Sequence, residues 1–176
     1  MSKYQLVLYP DEVLRNKAHP VAQIDGQLND LISAMAAIMY RYNGIGLAAP
    51  QVGYLHRVIL ADVGDGLLTL INPEILQSEG ADYKEEGCLS LPEIKVGVRR
   101  KETILVRGMD RHGKERELQL TGLKARVVQH EIDHLNGKLI IDYATTVEKF
   151  QLRDQLEQLE KRYRFQELTN QRRQTG

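Results

Sequence analysis

Two histidines stand four residues apart, His130 and His134, with Glu131 directly after the first, in the stretch VVQHEIDHLNG (127–137). On an α-helix, residues i and i+4 share a face, so both imidazoles can reach one ion. Glu131 sits about 100° further round. It can take a proton from a water on that ion without ligating it. This is the mechanical content of H-E-x-x-H: two ligands and a base. The competing reading is a solvated polar face. Against it, Leu123, Val127 and Val128 surround the motif; they mark a buried helix, whose polar side chains need partners. Asp133, three residues after His130, is either a carboxylate that steadies a ligand or a surface residue.

A catalytic metal needs a third protein ligand and an open position. The chain after His134 runs LNGKLIIDY, with no further histidine in the peptidase register. His19, His56 and His112 fall in a Pro-containing turn, at a strand start and in a hairpin turn, without a supporting motif. Cys88 is different. It lies in YKEEGCLSLPE, which reads as a polar, glycine-containing loop and is a poor setting for a buried apolar thiol. One thiolate and two imidazoles make a three-ligand site with the fourth position open. As the single cysteine, Cys88 has no intrachain disulfide partner.

The elements that must hold these groups follow from periodicity. Leu28, Leu31, Ile32, Met35, Ile38, Met39 and Tyr42 recur at helical spacing, and Asn43-Gly44 ends that helix. Short β-like runs follow at 57–62, 67–76, 94–98, 103–110 and 115–122, the last two flanking the turn RHGK. The motif helix starts near Thr121 and stops at Asn136-Gly137. Residues 145–169 hold no Gly or Pro and read as a long C-terminal helix with a narrow seam of Leu152, Leu156, Leu159 and Tyr163. The pattern predicts an α+β fold, mostly antiparallel sheets around a central metal-binding helix. Residues 1–144 form a catalytic domain, and 145–176 extend it.

A chain of 176 residues, 42% hydrophobic and 27% charged, can bury a real core. Lys plus Arg and Asp plus Glu both number 24, so net charge gives no drive toward nucleic acid or membrane, and sequence-specific nucleic-acid binding is not expected. No apolar run is long enough to span a bilayer. The N-terminus MSKYQLVLYPDEVL lacks the apolar core of a secretory signal. The expectation is a cytoplasmic monomer.

Three segments, GIGLAAPQ (44–51), EGCLS (86–90) and QHEIDHLNG (129–137), resemble the peptide deformylases in content, order and separation. The likeness runs from LYPDEVLRNKAHPV through the C-terminal helix. It implies that Cys88, His130 and His134 bind one divalent metal, Fe²⁺ in the cell and Zn²⁺, Ni²⁺ or Co²⁺ in purified protein. Glu131 would be the general base and acid. The side-chain amide of Gln51 and the backbone N–H of Leu89 would hold the oxyanion. The reaction would release formate from N-formylmethionyl peptides.

For the peptide, the resemblance places Gly44, Ile45 and Gly46 on one side and Gly87 on the other, with Glu86 as a carboxylate that fixes its loop. Leu123 and Val127, on the face of His130, offer a methionine pocket or ordinary core packing. Arg126 also lies on the metal-facing side. Its stem would line the pocket while its guanidinium contacts substrate carbonyls at the mouth, or else the side chain turns to solvent entirely. Lys161, Arg162, Arg164, Arg172 and Arg173 stand against Glu167 alone in the last residues. In the family such a helix is associated with ribosome docking; otherwise it is a solvated tail.

Two other classes compete. A zinc endopeptidase is disfavoured by the Cys ligand and by the missing third His or downstream Glu. A structural metal domain would need a fourth ligand, and none sits in a motif; the intact Gln51, Glu131 and Cys88 also speak against an inactive ribosome-binding relative.

Overall fold

The computed structural model describes residues 4–174, with side chains up to residue 165. Helix α1 (Gly26–Arg41) starts where the Asp25 side chain accepts the Leu28 N–H at 2.9 Å. It buries the predicted stripe from Leu28 to Met39, whereas Tyr42, expected in the same stripe, lies past the helix end and is exposed. Asn43 then takes a φ of 54° and turns the chain back. Seven strands follow: β1 (Gly46–Ala48), β2 (Val58–Ala61), β3 (Leu68–Glu79), β4 (Asp82–Cys88), β5 (Leu91–Arg100), β6 (Thr103–Met109) and β7 (Glu115–Thr121). Helix α2 (Gly122–Leu135) carries the H-E-x-x-H motif, and a 3-10 turn (Ile140–Tyr143) leads into α3 (Thr146–Gln174).

Strands β1, β2, β3, β6 and β7 form one sheet in that order, with every pair antiparallel. Strands β4 and β5 leave it as a separate two-stranded hairpin. All four residues of β2 are buried because the sheet is covered on both faces. Ile59 and Ala61 pack toward α2, while Val58 and Leu60 pack toward α1, the alternation that the pleat imposes.

The apolar interior falls into clusters that matter for the site. Ala125, Val127, Val128 and Leu135 of α2 pack against the sheet. The hairpin packs elsewhere: Leu91, Ile94, Val96 and Val98 meet Leu139, Ile140 and Leu159. Leu152 and Leu156 of α3 join that second cluster, whereas Val147 and Phe150 face outward. Hydrogen bonds from Tyr9 to Glu160 (3.0 Å) and from Tyr163 to Asp11 (3.1 Å) tie α3 to the N-terminal segment. No described helix is long and apolar enough to cross a membrane.

The structure corrects one sequence expectation here. YKEEGC is not a loop but most of strand β4. Glu86 is the strand's only fully buried residue, and it is charged, so the apolar alternation that marks a strand is missing.

Candidate active site

Helix α2 presents His130 and His134 on one face, with their Nε2 atoms 3.2 Å apart. Cys88 Sγ lies 3.3 Å from His134 Nε2. All three donor atoms fall within 4.8 Å of one another. Cys88 ends β4 at a tight reversal through Leu89 and Ser90. Its partner is Leu91, although Gly87 pairs with Lys95, so β5 bulges between them and Glu93 takes a φ of 66°. A bulge bends its strand, and this one shapes the tip that carries Cys88.

Glu86 stands behind His130. Its Oε2 lies 2.9 Å from His130 Nδ1. It also accepts two bonds from Arg100, both 2.9 Å, and one from Arg126 at 2.6 Å. Burial opposes the charge, but the bonds from His130 and Arg100 hold the carboxyl down at about 2. An ionised Glu86 makes Nδ1 the protonated nitrogen and leaves Nε2 free to ligate. Arg100 continues the network to Asp133 (2.5 Å), which also accepts the Tyr143 hydroxyl at 2.7 Å.

The donors fit a divalent cation. Burial and the neighbouring His130 push the His134 pKa well below the usual imidazole range, into its neutral ligand form. Burial works against a cation on His130, yet Cys88 and Glu86 raise its pKa well above the usual range. Surroundings that favour a proton there favour a metal cation in the same place. Two imidazoles and a thiolate suit the borderline divalent ions.

Glu131 is buried, and burial pushes its pKa up to about 7. Its Oε2 has no hydrogen-bond partner among the described residues. Gln51, in the 3-10 turn Ala49–Val52, accepts the Ala48 N–H through Oε1 at 2.9 Å. That bond fixes the amide, so Nε2 donates to Ser90 Oγ (3.1 Å) and Cys88 Sγ (3.6 Å).

A cavity of about 580 Å³ opens beside these groups. Gly44, Ile45, Gly46, Gln51, Glu86, Gly87, Cys88, Leu89, Leu123, Arg126, Val127, His130 and Glu131 all line it; His134 does not. Leu123 is half exposed at the mouth, and Val127 both lines the cavity and packs in the α2 cluster. Arg126 departs from expectation. Its guanidinium is buried, bonding Glu86, Val98 O (3.0 Å) and Asp82 O (2.7 Å), and does not reach out at the mouth. The charged partner that draws it inward, Glu86, lies on a strand the sequence did not reveal. Arg100 and Tyr143 carry no motif that marks them, and Ser90 is marked only as the last residue of EGCLS. Helix spacing could have flagged Arg126, Gln129, His130 and Asp133 as one polar stripe on a buried helix.

Comparison with known proteins gives the family. The family model for polypeptide deformylase matches residues 3–150. A peptide deformylase of Thermodesulfovibrio yellowstonii is 52% identical over 147 residues, 81% of this chain and 89% of that protein. One of Syntrophomonas wolfei is 48% identical over 151 residues, 85% of this chain and 99% of that protein. The crystal structure of the Thermotoga maritima peptide deformylase matches with a TM-score of 0.80 at 46% identity, covering 82% of this chain and 99% of that one. The Legionella pneumophila structure gives 0.84 at 39% identity, with 89% and 95% coverage. Agreement of this extent in both sequence and fold makes the chain a member of the peptide deformylase family.

Proposed function

We infer that Cys88, His130 and His134 hold the metal with which this deformylase hydrolyses the formyl group of N-formylmethionyl peptides, and that Glu131, Gln51 and Leu89 carry the chemistry. The observation that supports this best is the convergence of three ligand atoms beside a buried carboxylate whose Oε2 is unpartnered among the described residues. A divalent cation held there supplies Lewis acidity to the formyl oxygen and to a water. Glu131, with a pKa near neutrality, takes a proton from the attacking water and returns it to the departing amine. Formate and a free N-terminus result. Gln51 Nε2 and the Leu89 N–H donate to the oxyanion, the amide already oriented by its bond from Ala48.

The peptide lies extended between β1, an edge of the five-stranded sheet, and β4, an edge of the hairpin. Ile45 and Gly46 border it on one side and Gly87 on the other. A Cβ added to Gly87 would meet only Ile94 O at 3.9 Å. No neighbour in the fold asks for glycine there, and the open space suits a peptide main chain. Gly44, Leu123, Val127 and the Arg126 stem wall the methionine pocket.

The in-cell ion in this reading is Fe²⁺, with Zn²⁺, Ni²⁺ or Co²⁺ able to replace it. The protein works as a cytoplasmic monomer, with residues 1–144 as the catalytic domain and 145–176 as its helical extension. The exposed Lys161, Arg162 and Arg164 of α3 contact the ribosome; the side chains of Arg172 and Arg173 lie outside the described residues. Loss of ribosome co-sedimentation on changing Lys161, Arg162 and Arg164 to Glu tests that contact. Formate release from formyl-Met-Ala-Ser, with Glu131→Ala as control, tests the chemistry. Cleavage of casein instead would favour an endopeptidase.

A further inference from the structure

We propose that Arg126 is a positioning residue that holds the β4–β5 hairpin against α2, so that Cys88 meets His130 and His134. The proposal rests on the metal-site reading above. No strand of the five-stranded sheet is hydrogen-bonded to the hairpin, and the hairpin and α2 bury their apolar side chains in different clusters. The ligand set is therefore split across a seam, with the thiol on one body and both imidazoles on the other.

Gln51 and Tyr9 tie the tip of the hairpin at Cys88 and Ser90; along the rest of the hairpin, what α2 supplies is polar and comes from one stripe, residues 126, 129, 130 and 133. These positions share a face at i, i+3, i+4 and i+7. Gln129 holds both main-chain groups of Lys101 (2.9 and 2.8 Å) just beyond β5. Asp133 holds Arg100, and His130 faces Glu86.

Arg126 alone grips both strands. Its Nη1 donates to Glu86 and to Val98 O on β5, and its Nη2 donates to Asp82 O and pairs with the Asp82 carboxylate at 3.3 Å. Arg100 also grips Glu86 with two parallel bonds while its Nη1 holds Asp133. Glu86 therefore keeps a guanidinium partner without Arg126. The contribution unique to Arg126 is the tie to Val98 and Asp82. That tie uses the rigid planar fork of arginine, which a lysine cannot reproduce.

The test uses the Co²⁺-loaded protein, whose thiolate-to-cobalt absorption reports the bond to Cys88, mixed with excess EDTA. Arg126→Met keeps an apolar stem and leaves Glu86 paired with Arg100. It is expected to lose the band ~10–100-fold faster than the parent, the range for lost supports of metal ligands. Arg126→Lys should fall between the two, and it carries the test if the Met variant does not fold. Without metal, the Cys88 thiol of the Met variant should also react faster with a disulfide reagent. Band loss at the parent rate in a folded variant overturns the proposal, whatever its melting temperature or activity. A parent protein that takes up no Co²⁺ defeats the metal-site reading, and the proposal with it.

Discussion

A Cβ built on Gly46 would collide with Glu131 Oε1 and lie 2.7 Å from Val127 Cγ1. Strand β1 thus passes directly over the carboxylate, at a distance that only glycine permits. Gly46→Ala should displace Glu131 and lower kcat/KM on a formyl-Met peptide by ~10²-fold, the cost of roughly 1 Å of misplacement. Formate release and thermal unfolding, measured on the same preparation, check this. Full activity would show that the position of Glu131 is not constrained by β1.

Glu131→Gln keeps the shape and removes the base. Turnover should drop by ~10²–10⁴-fold, while Co²⁺ uptake with its thiolate band persists, since Glu131 is not among the three ligands. Undiminished turnover by the Glu131→Gln protein would overturn the mechanism.

Glu86→Gln leaves two buried guanidiniums short of their anion. Breaking a buried pair from one side costs about 3–5 kcal/mol. The urea midpoint should fall accordingly, and chelators should strip the metal ~10–100-fold faster. Unchanged stability together with unchanged metal release would remove Glu86 from its place behind His130.

Gly137 closes α2 with a φ of 72°, and a Cβ there would collide with Arg15 O. Alanine is strained on both counts, so Gly137→Ala should lose about 2 kcal/mol or more of stability in urea titration. Gly137 does not line the cavity, so activity per folded molecule should hold. A joint fall in both would tie this turn to the site.

Both ferrous iron and a thiolate ligand at Cys88 are open to oxidation. The Fe²⁺ form should lose activity within an aerated incubation that leaves the Ni²⁺ form active. Parallel decay of the two, followed by formate assay, would point away from iron–thiolate oxidation as the cause.

Much of this was legible in the chain because local chemistry dictated it. The α1 stripe, the five runs that became β2, β3, β5, β6 and β7, and the α2 motif all carry their own periodicity. Cys88 stood out as a thiol in polar company. Strand β1 escaped because three residues are too few to show a period. Strand β4 escaped because its sole fully buried residue is an ion-paired glutamate. The sequence points Arg126 to the mouth because it supplies the direction of a side chain but not the partner at its end. Glu86, 40 residues away, decides that direction. A buried charge is set by tertiary pairing, and no local window contains the pair.

The N-terminal segment bears on the order of folding. Val7 N–H bonds Gln51 O at 2.8 Å, and Tyr9 N–H bonds Ser90 O at 2.9 Å, so one short stretch braces the turn of the oxyanion amide and the tip of the hairpin. The same stretch is clasped by α3, through pairs 151 and 152 residues apart in sequence. During synthesis that clasp cannot close until Glu160 and Tyr163 have left the ribosome, and contacts of such separation form late. The stretch that braces both sides of the site is thus itself secured only after every strand and the motif helix have been made.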